Sequence, residues 1–510
     1  MKQRSIIVNN DFYNIFQVEP PVTDQDVYDA VDKMAGTQVD TLFLLVPNGL
    51  TKPGKEAVGP DLISLYEHPE TDPWIRNLNA YSEQGKDPFQ MVLERARQHG
   101  IEFFASIRMN DTHYLDQIFN PWVPQFYYDN LHNRVGAGGS RGGAEFDYRV
   151  SAIRDYMLDM IKEAVRRYDV DGIELDCTRN CMFFPRGDLD SGLTPECAPI
   201  FTEFMRQVRN TLDEVGKERG RKIELCVTIP GSLHHARGEG LDIPVWAQLG
   251  LLDMLCLSTP FYADFDRDVA DTKLKVPGVQ VYAGCDRNFE WPGRAVPLET
   301  YRALAMNYWQ QGADGIYLYN VMIWTIDAAR LPAMLLRHGG QGEGDCDQQL
   351  MNELGDMTTL AQLDKLYLIS HSGEAADKPY AALPVTVPAG GEVTLRMRIG
   401  DDIVGNAKCI ESIQLQTISS DCADYGNYTI KLNTVDLARQ YAFAAFAETP
   451  KNPLLFPEPN RTGVLPAVEK VRRHPVRPID LHTGVNYITI KSYRDALTIT
   501  DVELAIHYRG

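Results

Sequence analysis

The chain has 510 residues, more than one hydrophobic core usually serves, so we expect two or three domains. Its hydrophobic content of 44% and charged content of 24% are typical of a globular protein. The formal net charge of −20 leaves no basic surplus to neutralise phosphates. General affinity for nucleic acid or anionic lipid is thereby excluded, whereas an acidic ligand in a locally basic pocket stays open.

The opening residues, MKQRSIIVNNDF, contain no long apolar run, and no later stretch is apolar enough to predict a membrane span. The nine cysteines are an odd number and lack the spacing of a small disulfide-bonded domain. We therefore expect no signal peptide and a cytoplasmic location, although a leader that has been removed stays open. The oligomeric state is unknown from the sequence.

Amphipathic helical stretches alternate with short apolar strands in the first two thirds of the chain. The eight predicted strands are Ile6–Asn9, Thr41–Val46, Glu102–Arg108, Gly172–Asp176, Glu224–Ile229, Met254–Ser258, Gln280–Gly284 and Gly315–Asn320. Strands that alternate with helices favour parallel pairing through helical crossovers. Eight such units predict an α/β fold, a (β/α)8 TIM barrel over residues 1–340. A doubly wound open sheet is the alternative.

The intervening helices show the 3.6-residue period. Gly100 and Gly312 stand where two of these helices should end. The apolar faces consist of Phe89, Val92, Leu93 and Ala96 before strand three, Ile153, Tyr156, Met157, Met160, Ile161, Ala164 and Val165 before strand four, and Tyr301, Leu304, Ala305 and Tyr308 before strand eight.

The pattern changes after residue 340. Residues 341–379 read as a helical and extended linker, and residues 380–510 as short alternating strands separated by Pro- and Gly-rich turns. This pattern predicts a small all-β sandwich domain. The predicted strands are Leu383–Val387, Val393–Arg398, Ser412–Ile418, Tyr428–Leu432, Val485–Lys491 and Val502–Tyr508.

Active sites of such barrels lie at the carboxyl ends of the strands. Strand four ends in Asp176, with Glu174 two residues earlier on the same side and one layer deeper. A carboxylate on an apolar strand is costly unless it is paired or used. Asp176 is therefore either catalytic or a structural partner of Arg179 or a neighbouring strand. Glu174 either orients Asp176 or reacts itself.

Polar residues also follow other predicted strands and could bind sugar hydroxyls or tune a neighbouring carboxylate. A polar loop start without function is the alternative, because Asp and Asn are common in turns. These candidates are Asn10 after strand one, Arg108, Asn110, Asp111 and His113 after strand three, and Asn320 after strand eight.

Glycoside cleavage usually needs a second carboxyl group to protonate the leaving oxygen. Strand five has no acid at its tip, so the candidates are Asp264 after strand six and Asp286 after strand seven. Each of them alone could equally be a loop or binding residue. The sequence therefore leaves the proton donor open between Asp264 and Asp286.

Aromatic rings in the same loops could stack on sugar faces, although loop packing is the commoner role of each ring. They include Phe183, Phe184, Tyr262, Trp291 and Trp324. Arginines near the mouth, among them Arg108, Arg179 and Arg287, suggest a substrate that carries carboxylate or sulfate groups. Internal pairing with the acids of the site is the alternative.

We expect neither a metal nor a cofactor. Adjacent His234 and His235 cannot both face one site from a regular strand, and Cys177 and Cys181 lack a second cysteine pair with zinc-ribbon spacing. Neither a P-loop nor a GxGxxG motif follows strand one, which weakens nucleotide-dependent alternatives.

Three segments resemble bacterial glycosyl-hydrolase-like barrel proteins akin to the α-amylase and α-galactosidase superfamily: IEFFASIRMNDTH, FDYRVSAIRDYMLDMIKEAVRRYDVDGIELDCTRN and ADGIYLYN. In such barrels an Asp at the end of strand four is the nucleophile, a role that the resemblance gives to Asp176. The partner acid follows strand five or six, which implies Asp264. The C-terminal region is similar to the β-sandwich domains that often follow these barrels.

The sequence thus predicts a glycoside hydrolase that cleaves O-glycosidic bonds of an oligo- or polysaccharide with a pair of carboxylates. Two alternatives stay open. One is a non-hydrolytic carbohydrate-binding barrel, favoured by the bare tip of strand five. The other is a lyase or isomerase acting on a sugar acid, favoured by the arginines.

Overall fold

A computed structural model of the chain describes residues 2–16, 21–46, 77, 80, 81, 83–111, 125–136, 144–185, 197–259, 264–286, 297–319, 344–370, 383–419, 428–437, 446–448 and 470–509. The chain forms two compact units. The first contains Met1–Pro260, Asp271–Arg287 and Tyr317–Asn352, and the second contains Phe261–Ala270, Asn288–Ile316 and Glu353–Gly510. None of the helices in the described ranges combines the length and the apolar character that crossing a bilayer requires.

Eight strands close into one barrel, in which each strand pairs with the next along the chain. Pairing is parallel wherever a register is defined, as between β1 and β2 and between β3 and β4. The strands are β1 Ile6–Asn10, β2 Val39–Leu45, β3 Glu102–Arg108, β4 Gly172–Asp176, β5 Glu224–Pro230, β6 Met254–Ser258, β7 Gln280–Asp286 and β8 Gly315–Tyr319. The predicted (β/α)8 barrel is confirmed, and the open-sheet alternative is wrong because the sheet closes.

The predicted apolar helix faces are buried, including Phe89 and Ala96 on α2 and Ile153 and Val165 on α4. Gly100 follows the first of these helices with a φ of 71°, a left-handed conformation that glycine adopts without strain. The helices are α1 Asp24–Asp32, α2 Pro88–Gln98, α3 Gln125–Asp129, α4 Ser151–Arg167, α5 Cys197–Arg219, α6 Leu233–Gly238, α7 Ile243–Gln248, α8 Val269–Lys275, α9 Leu298–Gln310, α10 Gly344–Glu353 and α11 Met357–Leu360.

Strand β3 shows how the barrel interior is layered, because its alternate residues face the same side. Glu102 binds Arg4 at the start of the strand, and the Arg4 guanidinium lies 5.7 Å from the centre of the Phe104 ring. This ring occupies the space where a Cβ atom at Gly172 would lie, at 2.1 Å. Further along, Ser106 is 3.5 Å from the Asn9 amide. The interior is thus charged where β3 begins, apolar at Phe104 and polar again towards the carboxyl ends of the strands.

The opposite end of the barrel is held by the side chain of Arg4, which is fully buried. It binds three residues that begin alternate strands: its Nε lies 2.7 Å from Glu102, its Nη1 lies 3.1 Å from Gln280, and its Nη2 pairs with Glu224. Burial lowers the pKa of Arg4, but the two glutamates outweigh this effect and raise it. Arg4 is therefore a charged crosslink between β3, β5 and β7.

The C-terminal region contains two antiparallel sheets, which confirms the predicted all-β domain after the barrel. One sheet has the order β10-β18-β12-β16-β15, with β9 also paired to β18, and the other has the order β11-β17-β13-β14. Their strands are β9 Lys365–Leu368, β10 Val385–Val387, β11 Glu392–Ile399, β12 Ile410–Ser419, β13 Tyr428–Leu432, β14 Val435–Asp436, β15 Phe446–Glu448, β16 Lys470–Pro475, β17 Gly484–Ser492 and β18 Leu497–Tyr508.

Replacing Arg4 with Met should destabilise the barrel by about 3 kcal/mol, because Glu102 and Glu224 would keep their charges without the buried guanidinium. The measurement is the free energy of unfolding by denaturant. Lys2→Met is the matched control, since Lys2 also contacts Glu102, at 3.0 Å, but its side chain is 53% exposed. Equal effects of the two substitutions would contradict the role of Arg4 as a buried crosslink.

Candidate active site

Two carboxylates follow each other on the inner side of β4. Asp176 is the last residue of the strand and Glu174 lies two residues earlier. In the parallel register, Asp176 stands beside Arg108 of β3 and Thr228 of β5, whereas Glu174 stands beside Ser106 and Cys226. The two acids therefore occupy successive layers at the carboxyl end of the barrel, where active sites of this fold lie.

The Asp176 carboxylate is 1% exposed and receives several hydrogen bonds. The Thr178 amide donates to its Oδ1 atom at 2.8 Å, and the Thr178 hydroxyl donates to the same oxygen. The Tyr319 hydroxyl donates to Oδ2 at 3.2 Å, and Arg108 Nε lies 3.9 Å from that oxygen. These hydrogen bonds and the nearby guanidinium thus fix the side chain in one orientation.

The Glu174 carboxyl group is fully buried one layer deeper. Tyr317 donates to Oε1 at 2.6 Å, Thr228 donates to the same oxygen, and Asn9 donates to Oε2 at 2.9 Å. Burial raises the pKa of Glu174 to about 7 and the negative charge of Asp176 adds to the rise, which these hydrogen bonds only partly oppose. Glu174 therefore can hold a proton near neutral pH.

Arg108 connects the acids at the end of the barrel. Its guanidinium pairs with Asp11 through Nη2 and with Asp111 through Nη1, at 3.1 Å, in addition to its approach to Asp176. Burial lowers the pKa of Arg108, but the surrounding carboxylates outweigh it and raise the pKa well above the ordinary value. For Arg108, the structure therefore supports internal pairing with the acids of the site.

Arg179 is bound to Tyr319, the residue that also contacts Asp176. Its Nε donates to the Tyr319 hydroxyl at 2.8 Å, and its guanidinium carbon lies 5.6 Å from the centre of that ring. Arg179 is 8% exposed. Tyr319 thus links Arg179 to Asp176, the candidate nucleophile. The sequence suggested a direct Arg179–Asp176 pair and did not include this tyrosine.

Two predicted binding residues contact backbone instead. Asn110 donates both amide hydrogens to carbonyl oxygens, of Phe146 at 3.1 Å and Met182 at 2.6 Å, and its Oδ1 accepts from the Phe146 amide. Asn10 accepts from the Phe12 amide at 2.8 Å. Both side chains are almost fully buried. In this structure they position loops, and a part in sugar binding stays a prediction.

The two candidates for the proton donor lie in different units. Asp264 belongs to the second unit, where its Oδ1 accepts from the Asp266 amide at 3.0 Å and its backbone carbonyl accepts from the Tyr308 hydroxyl. Asp286 belongs to the first unit, like Asp176, and ends β7. Asp286 therefore stands at a strand end of the barrel, which is the position that a catalytic side chain requires.

Six predicted binding residues lie outside the described residues: His113, Tyr262, Arg287, Trp291, Asn320 and Trp324. Two other aromatic candidates are described. Phe183 and Phe184 are fully buried, and the Phe183 ring packs edge-on against Tyr148 at 5.1 Å. These two rings belong to the core, as the packing alternative expects.

Several residues around the two carboxylates escaped the sequence analysis as site residues. Asn9 and Asp11 flank the candidate Asn10, and the resemblance segment ADGIYLYN contains the tyrosines of β8. The sequence signal that could have identified them is a polar residue at a strand position that faces the barrel interior, because a buried polar group needs a hydrogen-bond partner. The residues missed are Ser106, Thr228, Tyr317 and Tyr319, whereas Asn9 and Asp11 belong with Asn10 to the polar end of strand one.

The raised pKa of Glu174 predicts a pH dependence of stability. Between the ordinary value of 4.5 and about 7, the folded protein keeps a proton that the unfolded chain has lost. The free energy of unfolding should therefore fall as pH rises through this window, by up to about 3 kcal/mol from this residue. Glu174→Gln should remove this part of the decline, as measured by denaturant unfolding from pH 4.5 to 8.

Glu94→Gln, at an exposed position of α2, serves as the control and should leave the wild-type pH profile unchanged. If the free energies of unfolding of the wild type and of Glu174→Gln change in parallel across this pH window, Glu174 ionises alike in the folded and unfolded states, which would contradict the prediction.

The family model described as Glycosyl hydrolase-like 10 matches residues 9–182, and no curated protein sequence is significantly similar to the chain. Among solved structures, the PgaB (BpsB) glycoside hydrolase domain from Bordetella bronchiseptica is 10% identical, with a TM-score of 0.41 over 69% of this chain and 99% of that one. Chitinase ChiA74 from Bacillus thuringiensis is 10% identical, with a TM-score of 0.40 over 98% of this chain and 100% of that one. The α-amylase from Geobacillus thermoleovorans is 11% identical, with a TM-score of 0.36 over 99% of each chain.

The matched segment runs from the end of β1 through β4 and includes Asp11, Arg108, Asp111, Glu174 and Asp176. The resemblance to glycosyl-hydrolase-like barrel proteins is therefore confirmed for the segment that carries the two buried carboxylates.

Proposed function

We propose that this protein is a glycoside hydrolase that cleaves O-glycosidic bonds of an oligo- or polysaccharide. The observation that carries the proposal is the position of Asp176, at the carboxyl end of β4 in a closed barrel and within the segment that matches a glycosyl-hydrolase-like family. Hydrolysis of this kind uses one carboxylate to attack the anomeric carbon or to activate water, and a carboxylic acid to protonate the leaving oxygen.

Asp176 takes the first of these roles in the proposal. Its contacts with Tyr319, Thr178 and Arg108 hold the carboxylate in one orientation, as a nucleophile or a base requires. Glu174 is a positioning residue, because it is fully buried and acts on Asp176 through its charge and its hydrogen-bond partners. Its protonation state adjusts the negative charge beneath Asp176.

Asp286 is the better supported of the two proton donors. It ends a barrel strand, as Asp176 does, whereas the side chain of Asp264 accepts from the Asp266 amide in the loop after β6. The mechanism as proposed therefore pairs Asp176 with Asp286. Whether the anomeric configuration is retained or inverted depends on the separation of the two carboxyl groups.

A non-hydrolytic carbohydrate-binding barrel is the second candidate. The observation that favours it is the burial of Asp176, of which 1% is exposed, together with the neutralisation of Asp11 and Asp111 by Arg108. A carboxylate so enclosed can stabilise a binding pocket without contacting the substrate. The two candidates differ in one measurable property, namely turnover.

Asp176→Asn should lower the turnover of a cleaved glycan by roughly a thousandfold, because the amide can neither attack nor accept a proton. The assay compares wild type, this variant and Asp159→Asn, a change at an exposed position of α4, against a panel of oligosaccharides. Retained turnover in Asp176→Asn would contradict the mechanism. Glycan binding by the wild type without turnover on the whole panel would support the binding barrel instead.

The proton donor is identified in the same assay with two leaving groups. Loss of the acid should slow cleavage of a natural glycoside strongly but spare an aryl glycoside whose phenolate leaves without protonation. Asp286→Asn should show this difference and Asp264→Asn should not. The reverse result would assign the acid to Asp264, and no difference in either variant would contradict both.

A narrower proposal is that the substrate carries carboxylate or sulfate groups, which Arg179 would recognise. Arg179→Met should then lower kcat/KM for a charged glycan by about tenfold or more while leaving a neutral glycan of the same backbone nearly unchanged. An unchanged preference between charged and neutral glycans would remove the idea. Arg108 is less suited to this role, because its guanidinium already pairs with Asp11 and Asp111.

A further inference from the structure

Three potential metal ligands meet beside the barrel mouth. Cys181 lies in the loop after β4, and His235 and Glu239 lie in and directly after α6, the helix that follows β5. Each offers one ligand atom, and the three atoms lie within 4.8 Å of one another. We propose that Cys181, His235 and Glu239 bind a divalent transition-metal ion of the zinc class. The sequence predicts no such site, because these ligands come from two separate segments of the chain, one after β4 and one after β5.

His235 and Glu239 share one face of a helical turn. The Glu239 amide donates to the His235 carbonyl at 3.2 Å, which shows that the turn continues through both residues. Residues four apart on a helix are neighbours, a spacing that zinc-binding helices use. The His235 Nε2 atom accordingly lies 3.9 Å from Glu239 Oε1, a separation that coordination to one ion would shorten slightly.

The loop that carries Cys181 is fixed on either side. Asn180 adopts a φ of 52°, and its carbonyl accepts from the Met182 amide at 2.7 Å. The Met182 carbonyl in turn accepts from Asn110, and the Phe183 carbonyl accepts from the Tyr148 amide at 2.8 Å. The thiol therefore reaches the cluster from an ordered backbone, so binding would cost little loop ordering.

Burial differs between the ligands in a way that suits a metal site. Glu239 is almost fully buried, whereas 43% of the His235 side chain is exposed. A buried carboxylate is stabilised by a nearby cation, and the exposed side gives an ion access from solvent. The Phe184 ring lies close to the backbone directly after Glu239, because a Cβ atom at Gly240 would lie 2.6 Å from it.

The ligand types select the class of ion. A thiolate, an imidazole and a carboxylate match Zn²⁺ or Co²⁺, whereas Mg²⁺ and Ca²⁺ prefer oxygen ligands alone. On binding, the Cys181 thiol releases its proton to solvent and the sulfur forms a bond to the metal, with no change of oxidation state. Three protein ligands leave a fourth position of a tetrahedral ion for water or a substrate oxygen.

The test titrates the full chain, freed of metal by a chelator, with Co²⁺. We expect one equivalent to bind with a thiolate-to-cobalt charge-transfer absorption, and Zn²⁺ to displace it. Cys181→Ser should abolish this absorption, and His235→Ala should weaken Co²⁺ binding by at least about tenfold. Neither substitution touches a fully buried side chain, so both variants should fold.

Two matched variants leave the cluster intact. Cys409→Ser removes a half-buried thiol of the second unit, and His234→Ala removes the imidazole next to His235. Both should bind Co²⁺ like the wild type. The proposal is overturned if the wild type shows no charge-transfer absorption, if the absorption persists in Cys181→Ser, or if His234→Ala weakens binding as much as His235→Ala. The experiment is independent of glycan turnover.

Discussion

The Arg108 guanidinium is the constraint on which the charged end of the barrel depends. Asp11, Asp111 and Asp176 come from three loops or strands and converge on this one cation, beneath which Glu174 adds a fourth carboxyl group. Without this buried guanidinium, the carboxyl groups that meet here would lie close together with no compensating charge between them. The protonation of Glu174 relieves the remaining repulsion, since its pKa is raised by burial and by Asp176.

Charge has a different role at the two ends of the barrel. Arg4 binds residues that begin β3, β5 and β7, and its partners hold strands in place at the end where barrels of this fold carry no chemistry. Arg108 binds side chains that follow or end strands, where the chain is free to vary in length. Arg4 therefore holds strands of the barrel together, and Arg108 holds the acidic side chains in their arrangement.

Much of the barrel could be predicted from the sequence, because strand and helix periods are local signals. Glu174 and Asp176 could be placed on one side of β4 for the same reason. Arg108–Asp11 and Tyr319–Asp176 could not, since each joins residues far apart in the chain. The strand β16 was missed because its sequence, KVRRHP, lacks alternation, and Arg472 and His474 are buried within it. Cys181, His235 and Glu239 likewise show no common motif.

The ring of Phe104 lies against Gly172 and 5.7 Å from the Arg4 guanidinium, so that this layer of the barrel interior is filled. Any side chain at position 172 would have to displace this ring, because a Cβ atom there would lie 2.1 Å from it. The missing side chain of one glycine thus decides how a layer is packed that lies between the Arg4 network and the acids around Arg108.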